Sequence, residues 1–245
     1  IVSVIASNPK ISFRKLHCCI LLLQFNEICE KTMHQLSIDF YSKKLSLIGL
    51  ITSPMESLGS SPGMILCHPH PALGGSMHNG VITAISKLGS ESGIASLRFN
   101  FRGIGGSEGD FENGKDSNED VKAAINLTRS WKGSGFDKNN IVLVGYSFGA
   151  GVILENIKNF KHVRSFILIA PPISSLKNSR IHKDKRPKLF IGGQNDTISP
   201  SVEIQRELDK IRQPVKFSEI PNVGHSMEPL SLIHISEPTR RYAIS

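Results

Sequence analysis

The sequence predicts an α/β fold in which helices cover both faces of a mostly parallel central sheet of about eight strands. From residue 33 onward, short runs rich in β-branched residues alternate with longer helical or loop stretches. The central runs are nearly continuous in apolar residues, which is typical of strands buried on both faces. The chain has 245 residues and shows no internal repeat, so one large domain is expected.

Eight runs are predicted as strands. The first two, 35–42 and 45–53, lie close together and alternate in polarity, which favours an antiparallel hairpin at a sheet edge. The remaining predicted strands are 63–68, 94–101, 140–147, 165–172, 187–193 and 214–220.

Helices are predicted between these strands, over residues 79–92, 117–131 and 200–211. The second begins with Ser117 and acidic residues, which are typical of a capped helix N-terminus. The connection from Ile173 to Arg186 is too short to hold a helical cap domain. We therefore expect a fold without a cap.

The composition argues against several classes of protein. Hydrophobic residues make up 39% of the chain, but no apolar run approaches the roughly 18 residues that a membrane crossing needs. The formal net charge is +8, yet the basic residues are scattered, with one local run at 182–188. No aromatic residues are interleaved with a basic stripe. We predict neither nucleic-acid binding nor membrane association.

The cysteines do not form a framework of spaced pairs. Cys18, Cys19 and Cys29 lie near the start of the chain, and Cys67 stands alone inside an apolar run. The apolar stretch 18–25 is short and lacks the small-residue cleavage site of a signal peptide. We therefore expect a cytoplasmic protein without disulfide bonds.

The strongest chemical signal is the segment VLVGYSFGAG, residues 142–151, which places a G-x-S-x-G motif between a predicted strand and a predicted helix. In a nucleophile elbow, a sharp turn holds the serine in strained backbone, and the flanking glycines let strand and helix approach without a Cβ clash. The alternative is a glycine-rich turn with an incidental serine. The strand-turn-helix context favours Ser147 as a nucleophile.

A serine hydroxyl needs a base to accept its proton and a third group to orient that base. After an elbow of this kind, the acid and then the histidine follow, each just beyond the C-terminal end of a strand. Asp196 follows the seventh predicted strand, and His225 follows the eighth. The other histidines after Ser147 are placed unsuitably: His162, His182 and His234. The sequence therefore predicts a triad of Ser147, Asp196 and His225, with a turn aspartate and a surface-loop histidine as the alternatives.

The segment CHPHPALGGSMHNG, residues 67–80, follows the third predicted strand, where the second donor of an oxyanion hole is expected. The first donor would be the backbone N–H of Phe148, directly after the nucleophile. The prolines of HPHP carry no N–H, so the available amide is that of His70. A metal site of His68, His70 and His78 is the alternative, but no carboxylate or thiol set accompanies them. We predict no metal or other cofactor, and expect His68 to bond to the neighbouring strand loop.

These segments resemble small bacterial α/β-hydrolases without a cap, of the kind called alpha/beta superfamily hydrolases. The matching segments run in order through residues 33–229: ILCHPHPALGGSMHN, LRFNFRGIGGSEGDFENG, VGYSFGAG, ILIAPP, GGQND and the Gly-His of PNVGHS. The resemblance implies an α/β-hydrolase fold and a serine-hydrolase triad that maps onto Ser147, Asp196 and His225. In related sequences aromatic residues tend to follow the histidine, where this chain has Ser226 and Met227.

Arg102 lies in the segment RFNFRGIGGSEG, residues 98–109. A guanidinium there could clamp a carboxylate or phosphate of a substrate. The favoured interpretation is structural, with Arg102 bound to backbone carbonyls or a nearby acid in a glycine-rich loop beside the active site.

The two ends of the sequence differ from the rest. Residues 230–240 back-translate into what looks like a sequencing-library adapter read in frame. We therefore expect residues 230–245 not to be native protein, and the C-terminal helix of the fold to be missing. Ile1 is not an initiator and Met33 precedes the first predicted strand. Residues 1–32 are therefore interpreted as translated upstream sequence, with a genuine N-terminal extension as the alternative.

The function predicted from these residues is hydrolysis of an ester-like or amide-like acyl bond in a small molecule, through an acyl-enzyme intermediate. A carboxylesterase-like serine hydrolase is the favoured class. A peptidase or perhydrolase could use the same residues, and a non-catalytic binding protein on the same fold is the alternative from another class.

Overall fold

The computed structural model describes residues 34–54, 60–131 and 135–227. The predictions for residues 1–32 and 230–245, and for a missing C-terminal helix, lie outside this range. The strands are β1 (His34–Ser42), β2 (Leu45–Ser53), β3 (Ser60–Cys67), β4 (Ala95–Phe99), β5 (Gly135–Tyr146), β6 (Ser165–Ile169), β7 (Lys188–Gly193) and β8 (Val215–Ile220). The α-helices are α1 (Gly80–Glu91), α2 (Ser117–Ser130), α3 (Phe148–Asn156), α4 (Ile173–Asn178) and α5 (Ser201–Leu208).

The described strands form one eight-stranded sheet in the order β1-β2-β4-β3-β5-β6-β7-β8. β1 and β2 form the predicted antiparallel hairpin at one edge, and β2 also runs antiparallel to β4. All pairs from β4 through β8 are parallel. The predicted mostly parallel sheet is confirmed, and its carboxyl edge gathers the loops that follow β3, β5, β7 and β8.

Alternate residues of the central strands pack against opposite layers, which explains why these strands read as continuous apolar runs. In β3, Ile65 and Cys67 join the core cluster that includes side chains of α2, α3 and α5. Met64 and Leu66 face the other cluster, which includes Val81 and Ile82 of α1. Helices therefore cover both faces of the sheet, as predicted.

All but one of the predicted strand and helix boundaries lie within three residues of the observed ones. The start of β5 and the cap of α2 differ more substantially. β5 begins at Gly135, five residues before the predicted start, because Gly135 and Phe136 pair with the first two residues of β3. The Phe136 ring packs against Gly63, where an added Cβ would lie only 2.6 Å from a ring carbon. Ser117 does not cap α2: Asp116 holds the N-cap position without a side-chain cap, and the buried Ser117 Oγ has no hydrogen-bond partner in the described structure. The acidic residues of the first turn, Glu119 and Asp120, remain favourable to the helix dipole.

The connection between β6 and β7 contains α4 and a short 3-10 helix at Arg180–Lys183, and no cap domain. This agrees with the prediction of an uncapped fold. Among the described residues, no helix combines the length and the apolar character that a bilayer crossing requires.

Candidate active site

The turn from β5 into α3 holds Ser147 in strained backbone, with φ 51° and ψ −111°. Its amide donates to the Ile169 carbonyl of β6 at 2.8 Å, which fixes the turn against the sheet. A Cβ at Gly145 would lie 2.6 Å from the Ala150 nitrogen, and a Cβ at Gly149 would lie 2.4 Å from the Cys67 carbonyl oxygen. Both glycines of the motif are therefore required by close backbone approach, as a nucleophile elbow demands.

The three residues predicted as a triad form one continuous hydrogen-bonded chain. The Ser147 Oγ lies 2.9 Å from the His225 Nε2, and the His225 Nδ1 lies 2.8 Å from the Asp196 Oδ2. The Asp196 side chain is fully buried, and the His225 side chain is 14% exposed. With the hydrogen of the imidazole on Nδ1, Nε2 is free to accept the serine proton.

The Asp196 carboxylate is held by both of its oxygens. Oδ1 accepts hydrogen bonds from the amides of Ile198 at 2.9 Å and Ser199 at 2.7 Å, which leaves Oδ2 for the histidine. These bonds form because the chain turns directly after β7 and presents consecutive amides to the carboxylate. The two amide bonds fix the orientation of the carboxylate, so that Oδ2 points towards the imidazole.

The loop after β3 brings His70 against Phe148, so the two residues predicted as oxyanion donors are neighbours. Their rings meet edge to face with centroids 5.5 Å apart, and both also contact the ring of Phe111 at 5.2 Å. The loop doubles back on itself, because the amides of Leu73 and Gly75 both donate to the His70 carbonyl. The assignment of the two backbone N–H groups as oxyanion donors stays a prediction.

The RFNF segment fastens this loop to the sheet. The Asn100 Oδ1 accepts from the Met77 amide at 2.8 Å, and Arg98 Nη1 donates to the Met77 carbonyl at 3.2 Å. Asn100 Nδ2 also donates to the Gly105 carbonyl at 3.2 Å, which joins the glycine-rich loop to the same anchor. The sequence indicated the RFNF segment and the loop after β3 separately, but it did not predict that side chains of the first bind the backbone of the second.

His68 is buried and uses both ring nitrogens within the protein, as predicted. Nδ1 lies 2.7 Å from the Pro69 carbonyl, to which it donates, and Nε2 accepts from the Phe101 amide at 3.2 Å. Burial lowers the pKa of His68 to about 4, so the imidazole is neutral at physiological pH. Within the described ranges, no three His, Cys, Asp or Glu residues are grouped so as to hold a metal ion.

Arg102 forms a buried ion pair with Asp120 of α2. Arg102 Nη2 and Nε donate to Asp120 Oδ1 at 2.7 Å and Oδ2 at 3.1 Å, and the Arg102 amide also donates to Oδ2, at 3.0 Å. This confirms the interpretation that Arg102 binds a nearby acid. The pair ties the glycine-rich loop to α2.

Sequence analysis missed a contact within the elbow itself. The Tyr146 hydroxyl, in the variable position of G-x-S-x-G, donates to the His225 carbonyl at 2.7 Å. The two residues are 79 positions apart, and the motif carries no signal for such a contact. Met227, two residues after His225, is fully buried in the core cluster that contains Val223.

Solved structures of other proteins share this fold. A solved structure of an alpha-beta serine hydrolase homologue from Coxiella burnetii is 30% identical, with a TM-score of 0.68 over 83% of this chain and 95% of that one. An α/β serine hydrolase without a lid from Xanthomonas campestris is 28% identical, with a TM-score of 0.67 over 84% of this chain and 92% of that one.

A curated relative, an uncharacterized protein of Rickettsia prowazekii, is 28% identical over 155 residues. The match spans 62% of this chain and 64% of the length of that protein. No family model matches the sequence. The fold and the solved relatives place the chain in the α/β-hydrolase superfamily, among proteins that resemble serine hydrolases without a lid.

Proposed function

We propose that the protein is a serine hydrolase that cleaves an ester-like or amide-like acyl bond of a small molecule. The observation that carries the proposal is the Ser147, His225 and Asp196 chain, with both joining distances below 3 Å. It lies at the carboxyl edge of the sheet, where the loops after β5, β7 and β8 meet. The solved relatives described as serine hydrolases support the same class.

In the first half-reaction, the Ser147 Oγ attacks the carbonyl carbon while His225 Nε2 takes the hydroxyl proton. The negative charge that develops on the carbonyl oxygen is held by the amides of Phe148 and His70. The bond to the leaving group then breaks, and the leaving group receives the proton from His225. This leaves an ester between Ser147 and the acyl group.

In the second half-reaction, a water molecule attacks that ester while His225 Nε2 removes its proton. Breakdown of the second tetrahedral intermediate releases the carboxylic acid and returns the proton to the Ser147 oxygen. Asp196 holds the imidazole hydrogen on Nδ1 throughout and stabilises the imidazolium form. The Cys67 thiol does not compete as a nucleophile, because burial raises its pKa and it is inaccessible.

The absence of a cap among the described residues favours small or exposed acyl groups, because no helical domain provides a tunnel for a long chain. The experiment is hydrolysis of p-nitrophenyl acetate, butyrate and a long-chain ester by the wild type and by Ser147→Ala. We expect turnover of the short esters and its loss in the variant. The exposed Ser130 supplies a matched control, Ser130→Ala.

Two results would contradict the proposal. The first is hydrolysis that survives in Ser147→Ala at the wild-type rate. The second, which bears on the acyl group alone, is a strong preference for the long-chain ester over acetate and butyrate. An anilide of the same acyl group, assayed in parallel, distinguishes an esterase from an amidase.

A further inference from the structure

Tyr146, between Gly145 and Ser147 in the motif, contacts the backbone of His225. Tyr146 is buried, 4% exposed, and its hydroxyl donates to the His225 carbonyl at 2.7 Å. Its ring lies 6.3 Å from the imidazole, centroid to centroid. One side chain therefore joins the elbow directly to the histidine loop.

The rest of that loop is fixed at other residues. The Asn195 amide donates to the Val223 carbonyl at 2.9 Å, and the Asn222 amide donates to the Gln194 side chain at 3.0 Å. Met227 is fully buried and donates its amide to the Gly224 carbonyl. These contacts hold the loop on either side of His225, but none of them engages His225 itself.

Among the described residues, three hydrogen bonds engage His225, and two belong to the triad. The third is the bond from Tyr146, and it is the one bond that engages the His225 backbone. Tyr146 directly precedes Ser147 in the chain, so the residue that holds the His225 backbone is itself part of the turn that carries the nucleophile. Asp196 therefore holds the imidazole by its Nδ1, and the Tyr146 hydroxyl holds the backbone that carries it.

We propose that Tyr146 is a positioning residue for the triad, whose hydroxyl holds the His225 backbone so that Nε2 faces the Ser147 Oγ. This inference rests on the proposed serine-hydrolase function. A misplacement of reacting groups by about 1 Å can cost a factor of ~100 in rate, so one anchoring bond can be decisive. Burial, together with the negative charge of Asp196, raises the pKa of Tyr146 to about 12, and the phenol remains a donor throughout the neutral range.

The direct test is Tyr146→Phe, which removes one oxygen and keeps the packing of the ring. We expect kcat for a p-nitrophenyl ester to fall by roughly ten- to a hundredfold, with KM changed by less than about twofold, because proton transfer is affected and binding is not. Tyr41→Phe is the matched control, since Tyr41 is 71% exposed on the edge strand. It is expected to match the wild type.

A second variant separates positioning from a general loss of structure. With 4-aminophenylalanine at position 146, an N–H donor returns to the place of the hydroxyl, and most of the lost kcat should be recovered. A variant that merely loosened the fold would not be rescued in this way. Thermal unfolding of each variant reports any change in stability separately.

An NMR measurement that needs no turnover tests the role of Tyr146 separately from the proposed function. In protein with ¹⁵N-labelled histidine, the Nδ1 proton of His225 is expected to be sharp in the wild type and broadened by exchange in Tyr146→Phe. An inactive wild type would overturn the proposed function, while this spectral comparison would still decide the role of Tyr146. Tyr146→Phe with an unchanged Nδ1 signal, and with wild-type kcat where the enzyme is active, would overturn the inference.

Discussion

The Nε2 of His225 lies 2.9 Å from the Oγ of Ser147, although the residues are 78 positions apart in the chain. A pair that shares one proton acts as a unit, so removal of either member should cost nearly as much as removal of both. We expect His225→Ala and Ser147→Ala each to lower kcat by on the order of 10⁶, and the double variant to be no worse. Ester hydrolysis by the purified proteins measures this, with the exposed His162→Ala as control. Losses that simply multiply would contradict a shared proton.

Asp196 should contribute less than Ser147, because its charge acts through the imidazole. Asn at this position could still accept the Ile198 and Ser199 amides, but its NH₂ group would face Nδ1 and favour the wrong tautomer of His225. We expect Asp196→Asn to lower kcat by about 10⁴. Asp209→Asn, at the exposed end of α5, is the matched control. A variant within tenfold of the wild type would show that another group orients the histidine.

The ion pair of Arg102 and Asp120 is expected to matter for stability and not for substrate binding. Arg102→Met leaves the fully buried Asp120 carboxylate without its partner, which should lower the free energy of unfolding by about 3–5 kcal/mol. Urea unfolding measures this, and Lys115→Met in an exposed pair should stay close to the wild type. A large rise in KM with unchanged stability would instead assign Arg102 to the substrate.

Protonation of the buried His68 is expected to lower the free energy of unfolding in acid. Its pKa is lowered to about 4 by burial, whereas an unfolded histidine has a pKa of about 6.5. The unfolded chain therefore binds more protons between these values, so the contribution of His68 is complete above pH ~6.5 and is lost as the pH falls towards 4. The loss over the whole window is on the order of 3 kcal/mol.

Urea unfolding at several pH values tests this contribution. His68→Asn, which keeps an acceptor for the Phe101 amide but cannot take up a proton, should show a shallower pH dependence than the wild type. The exposed His162→Gln should keep the wild-type slope. Equal slopes in the wild type and in His68→Asn would contradict the assignment.

The parts of the molecule that could be predicted from sequence are those that follow from local pattern. The sheet could be predicted because strands such as β3 are buried on both faces and therefore appear in the sequence as continuous apolar runs. The elbow could be predicted because close backbone contacts require glycine at positions 145 and 149. Asp196 and His225 could be selected because each follows a strand whose end lies at one edge of a parallel sheet.

The parts that could not be predicted depend on side chains that meet only after folding. Nothing in the spacing indicates that Tyr146 bonds to the His225 backbone, or that Asn100 holds the Met77 amide. The predicted Ser117 cap was wrong because Ser117 is already the first residue of α2, and Asp116, which holds the N-cap position, has a left-handed φ of 59° in place of the extended backbone that a capping side chain needs.

The central claim is that Ser147 is a nucleophile activated by His225. A fluorophosphonate probe tests it most directly, because only an activated serine displaces the fluoride. We predict that intact-mass spectrometry will show one phosphonyl group on the folded protein, that peptide mapping will place it on Ser147, and that His225→Ala will label far more slowly. A folded wild type that stays unlabelled, or a label on another serine, would contradict the account.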